Sequence, residues 1–201
     1  SLPLVVLPAS KTGEEPLLFF ISGDGGWTSF DQSVSEKIVA QGAPVVGLDA
    51  QKYFWQARTP DETAAEINKV LRYYLTAWNK KSFILCGYSF GADIMPYLAT
   101  RLQPDLLPML KGIVMMSPDT KADFEIHVSD MLSIGNSHDT FDVLAELRKS
   151  KGRVHTVCIF GSEEDQQPAK LFEAAGASIR VLPGQHHYDN DYDAIVKEIL
   201  R

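Results

Sequence analysis

Six short apolar runs alternate along the chain with segments of helical periodicity, and this alternation constrains the fold more than any other feature. The runs are nearly continuous in apolar residues, as strands buried on both faces are. We predict strands at residues 16–21, 44–48, 82–86, 112–116, 154–160 and 178–182. Strands that alternate with helices form βαβ units, so the pattern predicts an α/β fold with a mostly parallel sheet and helices on both faces.

The helical segments fit this arrangement. The clearest begins with Thr59, Pro60 and Glu62, a capping box with proline at the first helical position. A proline at position 96 is expected to kink or weaken its helix, because proline has no amide donor. A chain of 201 residues is long enough for one core and short for two, so we predict a single domain over residues 1–201. A small insertion or lid is predicted at 118–138. Helices are predicted at 29–40, 60–78, 91–102, 141–149, 169–175 and 194–200.

Composition argues against some partners. The chain has 19 basic and 26 acidic residues and a formal charge of −7, with no basic run to collect phosphates, so nucleic acid is not an expected partner. No apolar stretch approaches the roughly 20 residues that a membrane span needs. Cys86 and Cys158 both fall inside predicted strands, which indicates buried free thiols.

The pentapeptide GYSFG at residues 87–91 matches the pattern G-x-S-x-G between a predicted strand and a predicted helix. In enzymes that use this pattern, a sharp strand-to-helix turn displays the serine above the sheet, and the flanking glycines allow close backbone approach. Ser89 is therefore the candidate nucleophile. The alternative is an ordinary turn, because glycine and serine are common turn residues.

A serine hydroxyl needs a base within hydrogen-bond reach and an acid that orients the base. His186 lies just beyond the last predicted strand, at the carboxyl edge of the sheet, and is the candidate base; His187 is the fallback. The candidate acids are Glu164 and Asp165, just beyond the preceding strand, and their order is left open, with Asp119 a distant third. At least one of these carboxylates is expected only to cap a helix or face solvent.

The glycine-rich segment at residues 22–27, SGDGGW, follows the first predicted strand. The amide of Asp24, or of Gly25, would hold a developing oxyanion together with the amide of Phe90, the residue after the nucleophile. An ordinary glycine turn is the alternative. A nucleotide-binding loop is not supported, because no G-x-x-x-x-G-K-[ST] pattern occurs.

The segment DNDYD at residues 189–193 imitates the start of a calcium-binding loop. Its sixth position is Ala194 instead of glycine and its twelfth is Leu200 instead of glutamate, so the pattern fails. Capping of the last helix explains these aspartates better. We therefore expect neither a metal nor an organic cofactor.

Four separated motifs together resemble the bacterial virulence protein VirJ family, which includes the VirJ-like domain of AcvB: SGDGGW at 22–27, YFW at 53–55, GYSFGAD at 87–93 and PGQHHYD at 183–189. The resemblance implies an α/β-hydrolase fold, a nucleophile at Ser89 and a catalytic histidine at His186. It also implies a periplasmic location after removal of a signal peptide and a link to virulence. Relatives of the AcvB type hydrolyse lysyl-phosphatidylglycerol, and VirJ is linked to type IV secretion.

These observations together predict a serine esterase that cleaves an aminoacyl ester such as lysyl-phosphatidylglycerol. Asp24 and Asp93 are the candidates for binding a substrate cation, and Trp27 and Tyr88, with Tyr53 and Trp55, for lining the pocket or its rim. Such aromatic residues are more often part of a core. The expected partners are an aminoacylated phospholipid or another ester, transiently a membrane surface, and type IV secretion components. The alternatives are a generic carboxylesterase or thioesterase, and a non-catalytic periplasmic adaptor.

Overall fold

The computed structural model describes residues 1–10, 13–126 and 140–201. Its main element is a seven-stranded sheet with the strand order β1-β3-β2-β4-β5-β8-β9, in which only β1 is antiparallel to its neighbour. Two further short strands, β6 and β7, form a separate antiparallel pair. The strands are β1 (Leu4–Leu7), β2 (Leu17–Ile21), β3 (Val45–Leu48), β4 (Phe83–Tyr88), β5 (Leu110–Met116), β6 (Lys121–Ala122), β7 (Phe141–Asp142), β8 (Thr156–Gly161) and β9 (Ser178–Leu182).

Helices cover both faces of the sheet. Successive residues of a strand point to opposite faces, so Phe19 packs in the core under α3, α4, α5 and α6, and Phe20 packs in the core under α1 and α7. The helices are α1 (Ser29–Ala40), α2 (Ala50–Tyr53), α3 (Pro60–Ala77), α4 (Phe90–Ala99), α5 (Val143–Lys149), α6 (Gln167–Ala174) and α7 (Tyr192–Leu200), with 3-10 turns at Leu107–Met109 and Tyr188–Asn190.

The predicted fold class and all six predicted strands are confirmed, with ends shifted by one or two residues. The capping box is confirmed as well, since the Thr59 hydroxyl accepts from the Glu62 amide and the Glu62 carboxylate accepts from the Thr59 amide. The prediction missed β1, a half-buried edge strand of four residues. Two helix predictions were too long. α4 contains Pro96 but ends at Ala99, and Phe141 belongs to β7 instead of α5.

The predicted insertion at 118–138 falls partly on residues 127–139, which lie outside the described residues. Its described part contributes to the core, because the ring of Phe124 packs 5.3 Å from Tyr97 and 5.1 Å from Phe141. Cys86 and Cys158 are buried free thiols, as predicted. Within the described ranges, no helix has both the length and the apolar character that crossing a bilayer requires.

The first turn of α1 contains a buried carboxyl group. Asp31 is 1 % exposed, and its Oδ2 accepts from the backbone amide and the hydroxyl of Thr28. Its Oδ1 and the hydroxyl of Ser35, one turn further along α1, are buried without a hydrogen-bond partner among the described residues. Burial raises the pKa of Asp31 to about 6, against the lowering effect of the Thr28 hydrogen bonds. Compared with the unfolded chain, the fold therefore favours the neutral form of Asp31.

We predict that Asp31→Asn makes the protein more stable at pH 7. The folded-state pKa of about 6 lies above the usual value of 3.8, so this group stabilises the fold below pH 4, and the contribution disappears as the pH rises to 6. The loss amounts to about 3 kcal/mol at most, at 1.36 kcal/mol for each pKa unit. Asparagine keeps an acceptor for Thr28 but cannot ionise.

Urea unfolding from pH 4 to pH 7 measures this effect. The wild type should lose stability across that range, and Asp31→Asn should lose less. Glu173→Gln removes a charge from the exposed side of α6 and serves as the control. Parallel curves for wild type and Asp31→Asn would contradict the prediction.

Candidate active site

The turn between β4 and α4 holds Ser89 in a strained conformation. Its φ of 53° and ψ of −115° lie in a region that residues other than glycine rarely adopt. The Ser89 amide donates to the Met116 carbonyl at 2.8 Å, which fixes the turn to the end of β5. The side chain lies at the carboxyl edge of the parallel strands, where α/β folds place their ligands.

The two glycines of the motif permit this turn by close backbone approach. A Cβ atom on Gly87 would lie 2.3 Å from the Gly91 carbonyl oxygen, and one on Gly91 would lie 2.2 Å from the Ile21 carbonyl oxygen. Both distances are far below van der Waals contact. The turn therefore requires glycine on both sides of the serine, as the sequence motif predicts.

The loop after β9 brings His186 to the serine. Its Nε2 lies 3.2 Å from the Ser89 Oγ, and its side chain is 48 % exposed. Gly184 gives the loop its direction with a φ of 107°. Tyr88 holds this loop in place, because its hydroxyl donates to the His186 carbonyl at 2.8 Å.

Of the candidate acids, Glu164 is the one that meets the histidine. Its Oε1 lies 2.7 Å from the His186 Nδ1. Asp165 is exposed and accepts instead from the Gln167 amide at the start of α6, the helix-capping role that was the alternative for this cluster. Asp119 contacts Asp93 through its backbone. The ring of His187, the fallback candidate for the base, packs 5.0 Å from the ring of Phe30, so this residue has a packing role.

The protonation states follow from the hydrogen bonds. Burial of the Glu164 carboxylate opposes ionisation, but hydrogen bonds from His186, the Gly161 amide and Ser117 hold the pKa of Glu164 below its usual value. An ionised carboxylate can only accept, so the His186 Nδ1 carries the hydrogen and Nε2 is the free acceptor. Nε2 is therefore placed to accept the Ser89 proton.

A cleft of about 260 Å³ adjoins Ser89. Its lining carries four aspartates and one lysine, so acidic groups dominate it. The lining residues are Asp24, Ser89, Phe90, Asp93, Ser117, Asp119, Lys121, Ala122, Asp123 and Thr140. A larger cavity, of about 650 Å³, lies at the amino ends of the strands among Pro8, Ala9, Gly13, Pro44, Ala77, Trp78, Asn79 and Lys80, away from the candidate nucleophile.

Asp93 is the most buried of these acidic groups, at 6 % exposure. Its Oδ1 accepts from the Asp119 amide at 2.7 Å. Burial raises the pKa of Asp93 well above its usual value, and the negative charges of Asp119 and Asp24 add to the effect, while the Asp119 amide opposes it. Burial thus shifts the balance of Asp93 towards its neutral form. A cation beside Asp93 would favour the ionised form instead.

The glycine-rich loop after β2 lies against the nucleophile. A Cβ atom on Gly23 would come within 3.7 Å of the Ser89 Cβ. The Ser22 hydroxyl holds the loop by accepting from the Ala50 amide and donating to the Gly23 carbonyl. Asp24 follows directly and lines the cleft, as Phe90 does at the first position of α4. The first amides of a helix have no intrahelical acceptor, which makes this corner suited to a negatively charged oxygen.

Two aromatic residues predicted to line the pocket or its rim, Trp27 and Tyr88, are not among the residues that line the cleft beside Ser89. Trp27 packs on the α1 and α7 side of the sheet, where its ring fills the space above Gly47 and its Nε1 donates to Gln32. Tyr88 is 6 % exposed and supports the histidine loop, as described above. Trp27 therefore does not line this cleft, and Tyr88 packs its ring 5.1 Å from that of His186 and supports it; the local sequence pattern gave no information about which face each ring would take.

The other two aromatic candidates differ from each other. Tyr53 belongs to the core, at 1 % exposure, with its hydroxyl donating to Glu66, whereas Trp55 is 44 % exposed.

The segment at 189–193 that imitates a calcium loop has a capping role, because the Asp191 carboxylate accepts from the Ala194 amide in the first turn of α7. In the part of the chain that the structure describes, no three His, Cys, Asp or Glu side chains are grouped to hold a metal.

Two residues near the site were missed by sequence reasoning. Ser117 donates to the second oxygen of Glu164 at 2.8 Å, and the hydroxyl of Tyr188 lies 2.6 Å from the Ser117 Oγ. Ser117 directly follows β5, so its position at the carboxyl edge was the available signal. Tyr188 gave none, because an aromatic residue in a short loop is more often packing.

Comparison with solved structures shows the same fold at low sequence identity. Est1E from Butyrivibrio proteoclasticus has a TM-score of 0.68 and 14 % identity, over 98 % of this chain and 90 % of that one. A lipase-esterase related protein from Clostridium acetobutylicum has a TM-score of 0.66 and 14 % identity, over 98 % of both chains. A soluble variant of monoglyceride lipase from Saccharomyces cerevisiae has a TM-score of 0.64 and 10 % identity, over 98 % and 90 %.

A search of curated proteins returned no match. The family described as bacterial virulence protein (VirJ) matches residues 15–201, which is nearly the whole chain. The structural relatives and the parallel sheet show the α/β-hydrolase fold. The chain therefore belongs to the bacterial virulence protein VirJ family, with the fold of the α/β hydrolases.

Proposed function

We propose that the protein is a serine esterase. The observation that carries the proposal is the hydrogen-bonded series Ser89, His186, Glu164, with 3.2 Å between the first pair and 2.7 Å between the second. A nucleophile, a base and an orienting acid in this order are what acyl transfer requires. The strained turn at Ser89 supports the proposal, because such strain is typical of functional positions.

The geometry suits a two-step reaction. Ser89 Oγ attacks the ester carbonyl carbon while His186 Nε2 takes its proton, and the amides of Phe90 and Asp24 stabilise the oxyanion. Collapse of the intermediate breaks the ester bond, and His186 returns the proton to the leaving alcohol. Water then attacks the acyl-serine, giving its proton to Nε2, and the acid is released as Ser89 recovers its hydrogen. Glu164 stays ionised and holds the imidazole in place.

Ser89→Ala should abolish both turnover of p-nitrophenyl acetate and labelling by a fluorophosphonate probe. Loss of the nucleophile in such enzymes lowers kcat by roughly 10⁶-fold. The wild type should be labelled at Ser89, as peptide mass spectrometry would show. Absence of labelling in folded wild-type protein would contradict the proposal and favour a non-catalytic adaptor.

Glu164→Gln and Asp165→Asn should differ sharply. Glutamine cannot hold the imidazolium that forms during attack, and loss of a triad acid of this kind lowers kcat by about 10⁴-fold. Asp165→Asn removes a charge from the neighbouring position without touching His186, so we expect kcat within about threefold of wild type, as for an exposed polar residue. Equal effects in steady-state kinetics would show that Glu164 is not the orienting acid.

The acidic cleft favours a cationic acyl group, and we propose an aminoacyl ester such as lysyl-phosphatidylglycerol as the substrate. Lysine in an ester carries a side-chain ammonium besides its α-ammonium, and the acidic groups of Asp24 and Asp93 both line the cleft beside the nucleophile, where they can face the side-chain ammonium. Because burial raises the pKa of Asp93, a bound cation beside it would favour its ionised form and so strengthen its own counter-charge. The resemblance to the VirJ family, with its AcvB-type relatives, implies the same substrate class.

Lysine ethyl ester and norleucine ethyl ester differ in the side-chain ammonium and otherwise have similar shape. We expect wild type to prefer the lysyl ester in kcat/KM, and Asp24→Asn to reduce that preference about two- to fivefold, as for an exposed ion pair. Asp93→Asn should reduce it about tenfold or more, as for a buried hydrogen-bonded charge. Glu173→Gln is the charge-matched control. An unchanged preference in both variants would reject cation recognition by this cleft.

We also propose a periplasmic location, transient contact with the membrane surface that holds the lipid, and a link to virulence through type IV secretion. The support is membership of the family. Release of lysine from vesicles that contain lysyl-phosphatidylglycerol tests the lipid, and fractionation of cells tests the location.

A further inference from the structure

The carboxylate of Glu164 has two oxygens, and only Oε1 faces His186. The second oxygen, Oε2, accepts from the Gly161 amide at 2.6 Å and from the Ser117 hydroxyl at 2.8 Å. The amide belongs to the last residue of β8, the strand that leads into the loop of the glutamate. The hydroxyl belongs to Ser117, directly after the neighbouring strand β5, and is therefore an independent anchor for the carboxylate.

Counting protons determines which group donates in the hydrogen bonds between Tyr188, Ser117 and Glu164. Ser117 has one hydroxyl hydrogen and gives it to the carboxylate, which can only accept. The Tyr188 hydroxyl, 2.6 Å from the Ser117 Oγ, must then be the donor in that contact. The Ile159 carbonyl, at 3.3 Å from the same hydroxyl, is a much longer second acceptor for it. Every hydroxyl from Tyr188 to Glu164 thus donates towards the carboxylate.

Both hydroxyl residues are buried. Ser117 is 8 % exposed and Tyr188 is fully buried. Burial raises the pKa of Tyr188 well above its usual value, against the lowering effect of the Ser117 hydrogen bond, so the phenol remains a donor. In such surroundings hydrogen bonds polarise one another, and a donor removed from the series leaves a partner unsatisfied.

The backbone at both residues is strained. Ser117 has a φ of 49° and Tyr188 has a φ of 51°, values that bulky residues rarely adopt. The Ser117 amide donates to the Ile159 carbonyl at 2.8 Å, which holds it at the end of β5. Strain of this kind persists where the surroundings compensate for it, and it concentrates at functional sites.

We propose that Ser117 and Tyr188 are positioning residues that act on His186 through Glu164, as a hydrogen-bond relay from Tyr188 through Ser117 to the carboxylate. The inference rests on the proposed esterase function and adds two residues to it. Tyr188 lies two positions after His186, so its hydroxyl also ties the histidine loop to the acid. Rotation of the carboxylate away from the imidazole would then break the bond from Ser117.

The experiment uses Ser117→Ala, Tyr188→Phe and the double variant, with p-nitrophenyl acetate as substrate. A hydrogen bond to a charged group contributes about 1.5 to 3 kcal/mol. Ser117→Ala should therefore lower kcat by about 10- to 100-fold with little change in KM. Tyr188→Phe should lower it about fivefold, the effect of a typical neutral hydrogen bond. The double variant should resemble Ser117→Ala, because Tyr188 acts through Ser117.

The pH dependence of kcat/KM provides a readout that general loosening of the structure would not give. Its acid limb reports the ionisation of Glu164 and His186 as a pair. Loss of the Ser117 donor makes the carboxylate more basic, so the acid limb should move to higher pH in Ser117→Ala and in Tyr188→Phe. Tyr192→Phe, from the same segment, is the control and should leave the limb in place.

The outcomes separate the two proposals. If folded wild type is neither labelled by a fluorophosphonate nor active, the esterase function is rejected. If wild type is active but the Ser117→Ala and Tyr188→Phe variants keep its kcat and acid limb, only the relay is rejected. Multiplicative losses in the double variant would also reject the relay, because independent packing effects add in free energy. Should Ser117→Ala fail to fold, the acid limb of Tyr188→Phe alone decides.

Discussion

The site depends on one carboxylate that joins three separate loops. Glu164 follows β8, and its oxygens accept from Ser117 after β5 and from His186 after β9. Because these strands are parallel neighbours in the sheet, their carboxyl ends meet at one edge, and a single ionised group there can hold all three loops. The hydrogen bonds outweigh the effect of burial on its pKa, so the negative charge persists where the imidazole needs it.

The nucleophile depends on a different constraint, the close approach of backbones. Neither Gly87 nor Gly91 could carry a side chain without displacing a carbonyl group. The turn at Ser89 is strained, and its amide is bound to the end of β5, so the serine and Ser117 are held by the same strand. The geometry of the series Ser89, His186, Glu164 thus follows from the sheet, because each of the three residues lies on a turn or loop that directly follows a strand.

The sequence was sufficient for those parts of the molecule that local patterns control. The apolar runs predicted every long parallel strand, and G-x-S-x-G with chain order identified Ser89 and His186. It could not separate Glu164 from Asp165, because two adjacent carboxylates have the same chemistry and only the loop geometry directs one to the histidine. It placed Trp27 wrongly, because the face that a ring takes depends on distant residues such as Gly47. Tyr188 was missed because an aromatic residue in a short loop gives no local sign that its hydroxyl takes part in a site.

Two partly or fully buried carboxyl groups flank the nucleophile, and their surroundings give them opposite properties. Glu164 receives three hydrogen bonds and has a lowered pKa, whereas Asp93 receives one from the Asp119 amide, faces other acidic groups and has a raised pKa. Environments that shift the pKa values of two titratable groups in opposite directions give the two groups different roles. Glu164 keeps its charge beside His186, as the orienting acid of the proposed esterase would. Burial favours the neutral form of Asp93, and a cation beside it would favour the ionised form, so a cationic acyl group would strengthen its own counter-charge.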